Sequence, residues 1–272
     1  MGPIGIFDSG YGGLTILQDI QKKLPEYDYL YLGDNARAPY GTRSFDVVYE
    51  FTLEAIKELF DRGCELVIIA CNTASAKALR TIQQNDLPEQ FPGKRVLGVI
   101  RPSSEIIGQF SLNNHIGILA TQGTVASESY VIEIEKFSPQ CTVHQLACPM
   151  WVPLIENNEH ETEAGREFIK KDVLSLLGES KYIDTILLGC THYPVLKDYI
   201  ESIIPKGIEV ISQGEIVANS LSDYLLRHPW LDSKCSKNGS IHFLTTESSE
   251  EFDGNASNFF DKKISSEHIK LG

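Results

Sequence analysis

The stretch Glu65-Leu-Val-Ile-Ile-Ala-Cys71-Asn-Thr73 is an apolar run that ends in a cysteine, and it recurs in character as Asp184-Thr-Ile-Leu-Leu-Gly-Cys190-Thr-His192. The spacing from position 71 to position 190 is 119 residues. A second pair, Ile4-Gly5-Ile6 and Ile116-Gly117-Ile118, is 112 residues apart. Unrelated α/β domains can share such apolar strands, but the matching cysteine positions favour an internal repeat.

Short apolar runs alternate along the chain with longer segments of helical period, which is typical of βα units around a mostly parallel sheet. We predict strands at 4–7, 27–32, 66–70, 95–99, 115–119, 142–146, 185–188, 208–211 and 241–244. We predict helices at 44–62, 75–84, 163–177, 195–203 and 214–226. The predicted fold is α/β, with two pseudo-symmetric lobes built on mainly parallel sheets.

The repeat also suggests how the chain is divided. We expect a first lobe made of residues 1–97 and 208–272, and a second lobe made of residues 98–207. Open α/β sheets bind ligands at the carboxyl ends of their strands. Each lobe then offers one cysteine at such an end, and the functional site is expected in the cleft between the lobes.

Composition excludes several classes of protein. The 272 residues carry a net charge of −13, which is unfavourable for binding nucleic acid or an anionic membrane surface. The N-terminus lacks the pattern of a signal peptide, and no apolar run approaches the roughly 18 residues that span a bilayer. Six cysteines are too few for a disulfide scaffold, so we expect reduced thiols and a cytoplasmic protein.

Cys71 is predicted to lie at the end of a strand and the start of a helix. Main-chain N–H groups and the helix dipole there favour a thiolate, so we expect a pKa below the usual ~8.5. Asn72 and Thr73 can cap the helix or hold a ligand carboxylate. The alternative is a buried structural cysteine with an ordinary helix cap.

Cys190 repeats this arrangement, and His192 follows closely enough to influence the thiol. A cysteine and a histidine could also ligate a metal. Zinc needs further ligands at recognisable spacing, and the other cluster, Cys141-x2-His144-x3-Cys148, has no Cys-x2-Cys partner. We therefore expect no metal.

Two loops follow the first two strands. The turn Phe7-Asp8-Ser9-Gly10-Tyr11-Gly12-Gly13 lacks the third glycine of a dinucleotide fingerprint, so it supplies a carboxylate, Asp8, rather than a nicotinamide site. Asp8 could equally be a helix cap. The loop 32–42 carries Arg37 and Tyr40 and should lie on the same rim, although an ordinary surface loop explains it almost as well.

Two opposed thiols suit one type of reaction. Removing a proton from one face of a tetrahedral carbon and returning one to the other face requires two acid/base groups on opposite sides. The pattern therefore predicts a racemase or an epimerase.

Five motifs carry a resemblance to a known family: IGIFDSGYGGLTIL at 4–17, GDNARAPYG at 33–41, ACNTASA at 70–76, CPMWVPLIE at 148–156 and GCTHYPVL at 189–196. Together they resemble the glutamate racemases of the aspartate/glutamate racemase superfamily, in order from residue 4 to about 220. Aspartate racemases share the two cysteines, but typically have a different first turn and Thr-Glu after the second cysteine.

The resemblance implies that Cys71 and Cys190 are the two acid/base residues. It implies that Asp8 assists Cys71, and that His192, with Glu156 near it, assists Cys190. It further implies a set of substrate-binding residues, namely Asp8, Ser9, Tyr40, Gly41, Asn72, Thr73, Thr191 and His192.

The same resemblance implies a cofactor-independent isomerase that interconverts L- and D-glutamate and supplies D-glutamate for peptidoglycan synthesis, as a cytoplasmic homodimer. Two departures from the family pattern are Arg101 and the turn Ile211-Ser212-Gln213-Gly214. Two rival interpretations remain open. One is a racemase for aspartate or another amino acid, and the other is a two-lobed protein that binds an acidic metabolite without catalysis.

Overall fold

The computed structural model describes residues 1–272 and contains two parallel β-sheets flanked by helices. The ten strands are β1 Ile4–Asp8, β2 Tyr29–Gly33, β3 Leu66–Ile69, β4 Arg95–Gly98, β5 His115–Ala120, β6 Thr142–Ala147, β7 Thr185–Gly189, β8 Glu209–Ile211, β9 Ile241–Thr245 and β10 Ser266–His268. The predicted α/β fold class is confirmed, as are nine strands to within two residues at each end.

Fourteen α-helices connect and cover the strands. They are α1 Gly13–Lys23, α2 Phe45–Asp61, α3 Asn72–Lys77, α4 Leu79–Thr81, α5 Leu87–Gln90, α6 Ile100–Ile106, α7 Gln122–Ala126, α8 Ser129–Phe137, α9 Trp151–Glu156, α10 Glu163–Glu179, α11 Lys197–Ile203, α12 Gly214–Arg227, α13 Pro229–Asp232 and α14 Ser249–Ala256. A π-helical turn, Ile82–Asp86, joins α4 to α5. Where the sequence predicts one helix over 75–84, the structure has α3, which starts three residues earlier, at Asn72, and ends at Lys77.

The internal repeat corresponds to repeated sheet topology. The six-stranded sheet has the order β10-β9-β2-β1-β3-β4, and the four-stranded sheet has the order β6-β5-β7-β8. Strands β2-β1-β3-β4 of the first sheet match β6-β5-β7-β8 of the second, position for position. Thus β3 and β7, which lead to Cys71 and Cys190, occupy equivalent places in two pseudo-symmetric lobes.

The expected lobe boundary is wrong for one strand. The expected first lobe includes residues from 208 onward, but β8 pairs in parallel with β7, with Ile186 opposite Val210. The physical reason is the repeat itself, since β8 is the counterpart of β4 and closes the edge of the second sheet. The later strand β9 does return to the first sheet, where it pairs with β2.

Buried apolar strands hold each sheet in place. All five residues of β1, of β2 and of β7 are buried, as expected where helices cover both faces of a parallel sheet.

Helix α12 packs against α1 of the first lobe so closely that a Cβ on Gly214 would lie 2.0 Å from Asp19 Oδ2. No helix is both long enough and apolar enough to span a lipid bilayer.

Candidate active site

The carboxyl ends of both sheets open onto one shared cleft. Ser9 follows β1 and Cys71 follows β3 in the first lobe, while Thr121 follows β5 and Cys190 follows β7 in the second. The cleft encloses about 720 Å³, part of it open to solvent. The site therefore lies where parallel sheets bind ligands.

Ten of the eleven residues named from the sequence line this cleft. They are Ser9, Tyr40, Gly41, Cys71, Asn72, Thr73, Glu156, Cys190, Thr191 and His192. The eleventh, Asp8, is fully buried beneath it. No lysine or arginine lines the cleft, so the groups available to a bound carboxylate are hydroxyls, amides and the ring of His192.

Cys71 caps the N-terminus of α3. Its Sγ accepts from the main-chain N–H of Ala74 at 3.4 Å and lies 3.4 Å from Ser9 Oγ. The side chain is 6% exposed. The thiol is thus held by two polar groups and enclosed on most sides.

The expected fall in the pKa of Cys71 is wrong. Burial, followed by the charge of the Asp8 carboxylate, raises the pKa of this thiol to about 12. The hydrogen bonds from Ser9 and Ala74 act in the opposite direction but are outweighed. The desolvation of the thiolate raises the pKa more than the N-terminus of the six-residue helix α3 lowers it. Cys71 is therefore a thiol at neutral pH.

His192, two residues after Cys190, contacts both that cysteine and Glu156 through its two ring nitrogens. His192 Nδ1 lies 3.9 Å from Cys190 Sγ, and its Nε2 lies 2.8 Å from Glu156 Oε1. Burial alone would lower the pKa of His192, but hydrogen bonds to Cys190 and Glu156 raise it to about 10. The imidazole is therefore cationic at neutral pH, beside the thiol of the second lobe.

Asp8 joins the two lobes below the cleft. Its Oδ2 accepts from the main-chain N–H of Gly10 at 2.9 Å, and its Oδ1 accepts from Thr191 Oγ1 at 3.5 Å. Burial raises the pKa of Asp8, against the lowering effect of His192. The glycine-rich turn allows this close approach, because a Cβ on Gly12 would lie 2.3 Å from Thr191 Oγ1.

The loop after β2 lines the cleft with residues 38–42. The hydroxyl of Tyr40 donates to the buried carboxylate of Asp34 at 2.5 Å. Arg37 Nε donates to the same oxygen at 2.7 Å. The carbonyl of Gly41 accepts from the N–H of Gly123 in the second lobe at 2.8 Å. The hydroxyl hydrogen of Tyr40 and the carbonyl of Gly41 thus both have partners within the protein.

Asn72 and Thr73, the first residues of α3, contact the opposite lobe. Thr73 Oγ1 lies 2.8 Å from Thr121 Oγ1. The side-chain amide of Asn72 is bonded to Tyr130 and to Gln213. Both residues therefore join the first lobe to the second beside Cys71.

Several cleft residues were not found from the sequence, among them Thr121, Cys148, Val152 and Pro153. The repeat contained a signal for Thr121, because β5 is the counterpart of β1 and Thr121 follows it as Ser9 follows Asp8. Val152 and Pro153 lie in the motif CPMWVPLIE at 148–156, but they belong to α9, a short helix with no clear apolar period that would have marked them as lining residues.

The cluster Cys141-x2-His144-x3-Cys148 is spread along β6. Cys141 precedes β6 and Cys148 follows it, so the two thiols lie at opposite ends of the strand. His144 instead places Nε2 3.1 Å from Nδ1 of His115 on β5.

Two pseudo-symmetric α/β lobes each place a cysteine at a shared cleft, and this fold and site are those of a racemase, a class of isomerase. The family model described as "Asp/Glu/Hydantoin racemase" matches residues 14–221. The glutamate racemase of Listeria monocytogenes serotype 4a is 40% identical over 99% of this chain and 98% of its own. The chain belongs to the Asp/Glu/Hydantoin racemase family and is an isomerase.

Solved structures agree with this assignment. A glutamate racemase isoform from Bacillus anthracis has a TM-score of 0.89 and 32% identity, covering 99% of this chain and 97% of its own. The glutamate racemase of Francisella tularensis, solved in complex with D-glutamate, has a TM-score of 0.86 and 31% identity, with the same coverage.

Proposed function

We propose that this protein interconverts L- and D-glutamate, with Cys71 and Cys190 as the two acid/base residues. The observation that carries the proposal is the placement of these thiols at the ends of equivalent strands, β3 and β7, on one cleft. Racemisation needs a base on one face of the α-carbon and an acid on the other.

In the proposed reaction, the thiolate of one cysteine takes the α-proton and becomes a thiol. The thiol of the other cysteine gives its proton to the opposite face of the carbanion and becomes a thiolate. One C–H bond breaks and one forms, so no net proton is consumed. The two cysteines exchange roles, which leaves the protein ready for the reverse reaction.

The two cysteines have different surroundings. Cys71 is buried beside Asp8, and its high pKa makes it the protonated partner. Cys190 faces His192 Nδ1, and Glu156 holds the ring through Nε2, so the negative charge that forms when Cys190 donates its proton lies beside the imidazolium. The raised pKa of Asp8 makes its carboxylate a better proton acceptor when Cys71 must act as the base.

Glutamate is proposed as the substrate because the relatives are named glutamate racemases and one was solved with D-glutamate. The donors available for its carboxylates are the hydroxyls of Ser9 and Thr191, the amide of Asn72 and the main chain near Gly41. Several such donors aimed at the developing carbanion can each stabilise the transition state by roughly 3 kcal/mol. We propose that no cofactor takes part.

The decisive experiment follows the optical rotation or circular dichroism of L-glutamate with purified protein and no added cofactor or metal. Decay of the signal to zero, also when starting from D-glutamate, is the expected result. In deuterated water the product should carry deuterium at Cα, because the thiol that donates exchanges with solvent. Retention of protium in the initial turnovers would contradict the thiol mechanism.

Two further assays separate the rivals. Turnover of L-aspartate faster than L-glutamate would identify an aspartate racemase. Binding of glutamate by the thiol-alkylated protein, together with no activity of the unmodified protein on either enantiomer, would identify a binding protein.

The cellular role is part of the proposal. D-glutamate made here would supply peptidoglycan synthesis in the cytoplasm, and the protein would act as a homodimer. Light scattering on the purified protein tests the homodimer, and a D-glutamate requirement on deletion of the gene tests the role.

A further inference from the structure

Gln213, in the turn after β8, has a buried side-chain amide whose oxygen and nitrogen both make hydrogen bonds. It is 2% exposed. Its Oε1 accepts from Asn72 Nδ2 at 2.8 Å. Its Nε2 lies 2.7 Å from Ser103 Oγ, 2.7 Å from the hydroxyl of Tyr130 and 3.2 Å from the carbonyl of Val99. Neither the proposed reaction nor the repeat assigns a role to this residue.

The partners of Gln213 fix which end of its amide is nitrogen. The carbonyl of Val99 can only accept, so the NH₂ group must face it. The oxygen of Gln213 then faces Asn72, which must present its own NH₂ group there. The hydroxyl of Tyr130 donates to Asn72 Oδ1 at 2.6 Å, which agrees with this polarity.

Tyr130 could not impose this polarity alone. A hydroxyl both donates and accepts, so it can bond either end of the Asn72 amide. The carbonyl of Val99 fixes the orientation of the Gln213 amide, and that amide in turn fixes the orientation of the Asn72 amide. Val99 lies directly after β4, where the chain passes from the first lobe to the second, so the amide also ties this crossing segment to α3.

We propose that Gln213 is a positioning residue that sets the polarity of the Asn72 amide, so that a substrate carboxylate meets an N–H and not an oxygen. Asn72 lines the cleft beside Cys71. One Nδ2 hydrogen goes to Gln213, and the second is the only side-chain donor that Asn72 has left for a ligand. This proposal rests on the proposed function, because it takes the ligand to be a carboxylate.

The test is the variant Gln213→Met, which keeps the length of the side chain and removes both hydrogen-bonding ends. Without the hydrogen bond to Gln213, the Asn72 amide can rotate and present its oxygen to the carboxylate for part of the time. We expect KM for both enantiomers of glutamate to rise about tenfold, as for a weakened hydrogen bond to a charged group. We expect kcat to change less than about threefold.

The matched control is Gln83→Met. Gln83 is an exposed glutamine whose Nε2, like that of Gln213, donates to a carbonyl near the end of the first lobe, here that of Val96 on β4 at 2.7 Å. It does not contact Asn72. We expect KM and kcat of this variant to stay within about twofold of wild type, and circular dichroism and thermal unfolding check that both variants fold.

A conservative variant supplies the rescue. In Gln213→Glu a protonated carboxyl offers one donor and one acceptor, whereas the carboxylate offers only acceptors. KM relative to wild type should therefore fall towards one as the pH is lowered. A KM ratio that does not change with pH would contradict the polarity argument.

Other outcomes would overturn the proposal. If wild type is active and Gln213→Met has an unchanged KM, the proposed function stands and the role of Gln213 is wrong. If Gln213→Met lowers kcat and stability with KM unchanged, the residue is only structural. A wild-type protein inactive on both enantiomers would contradict the proposed function and this proposal together.

Discussion

Glu156 Oε1 lies 2.8 Å from His192 Nε2, and this contact holds the imidazole whose other nitrogen faces Cys190. The carboxylate of Glu156 is 26% exposed, whereas the ring is 6% exposed, so the histidine bears most of the desolvation. The protonation state of His192 therefore depends on a neighbour that is itself partly hydrated.

The first prediction concerns this pair and the pH profile of kcat/KM. If the imidazolium is the active form, activity should fall as the pH rises through the pKa of His192, which is about 10. Glu156→Gln removes a charge that raises this pKa, so the alkaline limb should move to lower pH. Glu159→Gln, at an exposed position of the next turn, is the control and should leave the limb in place. An unmoved limb in Glu156→Gln would argue against the imidazolium.

The second prediction concerns the cysteines. Cys71→Ser and Cys190→Ser should each lower kcat/KM about 10³-fold, because each removes one acid/base group. Enantiomers have equal free energy in water, so the loss must be equal for L- and D-glutamate. Cys141→Ser, outside the cleft, should be nearly normal. Near-normal turnover in either of the first two variants would show that one thiol suffices.

The third prediction concerns Tyr40, whose hydroxyl is bonded to Asp34. Tyr40→Phe should lower the free energy of unfolding by about 1.5 kcal/mol, because a buried carboxylate loses a donor. KM for glutamate should change less than about twofold, since the phenol does not serve the ligand. Urea unfolding and steady-state kinetics test both parts. A large rise in KM with unchanged stability would instead place the phenol in the cleft.

The fourth prediction concerns Asp28, which ties the start of β2 to the segment before β9. Its carboxylate accepts from Ser240 N at 2.9 Å, Ser240 Oγ at 2.7 Å and Asn238 Nδ2 at 2.6 Å. Burial opposes ionisation, but these hydrogen bonds outweigh it and lower the pKa of Asp28. Its stabilisation is therefore complete above the unfolded pKa of 3.8 and is lost as the pH falls further.

Asp28→Asn should accordingly cost about 2 kcal/mol at pH 7 and show a smaller loss of stability below pH 4 than wild type does. Denaturant unfolding across this range is the measurement. Asp223→Asn, at an exposed position of α12, is the control and should change the free energy of unfolding little. Equal acid sensitivity of wild type and Asp28→Asn would contradict the assignment.

Local patterns in the sequence were enough to predict nine of the ten strands and the position of both cysteines at strand ends. Strands such as β3 and β7 are continuous apolar runs that end in a polar turn, so their ends locate the cleft without knowledge of the sheet order. Strand β10 was missed because Ser266–His268 has no apolar run and forms only by pairing with β9.

Long-range features could not be predicted in this way. The partner of β8 depends on which sheet edge is free, which no local pattern reports. The pKa of Cys71 was predicted in the wrong direction because the helix start is visible in the sequence, whereas the burial that outweighs it is not. The contacts of Gln213 join β8, β4 and α3 and required the packed lobes to be seen.

The pairing of β9 and β10 onto the first sheet has a consequence for biosynthesis. Every strand of the four-stranded sheet comes from residues 115–211, so that sheet can close while the chain is still being made. The six-stranded sheet waits for residues 241–268, which the ribosome releases later. The half of the cleft that carries Cys190 can therefore form first, and the nascent chain exposes the edge of β2 until its own later strands cover it.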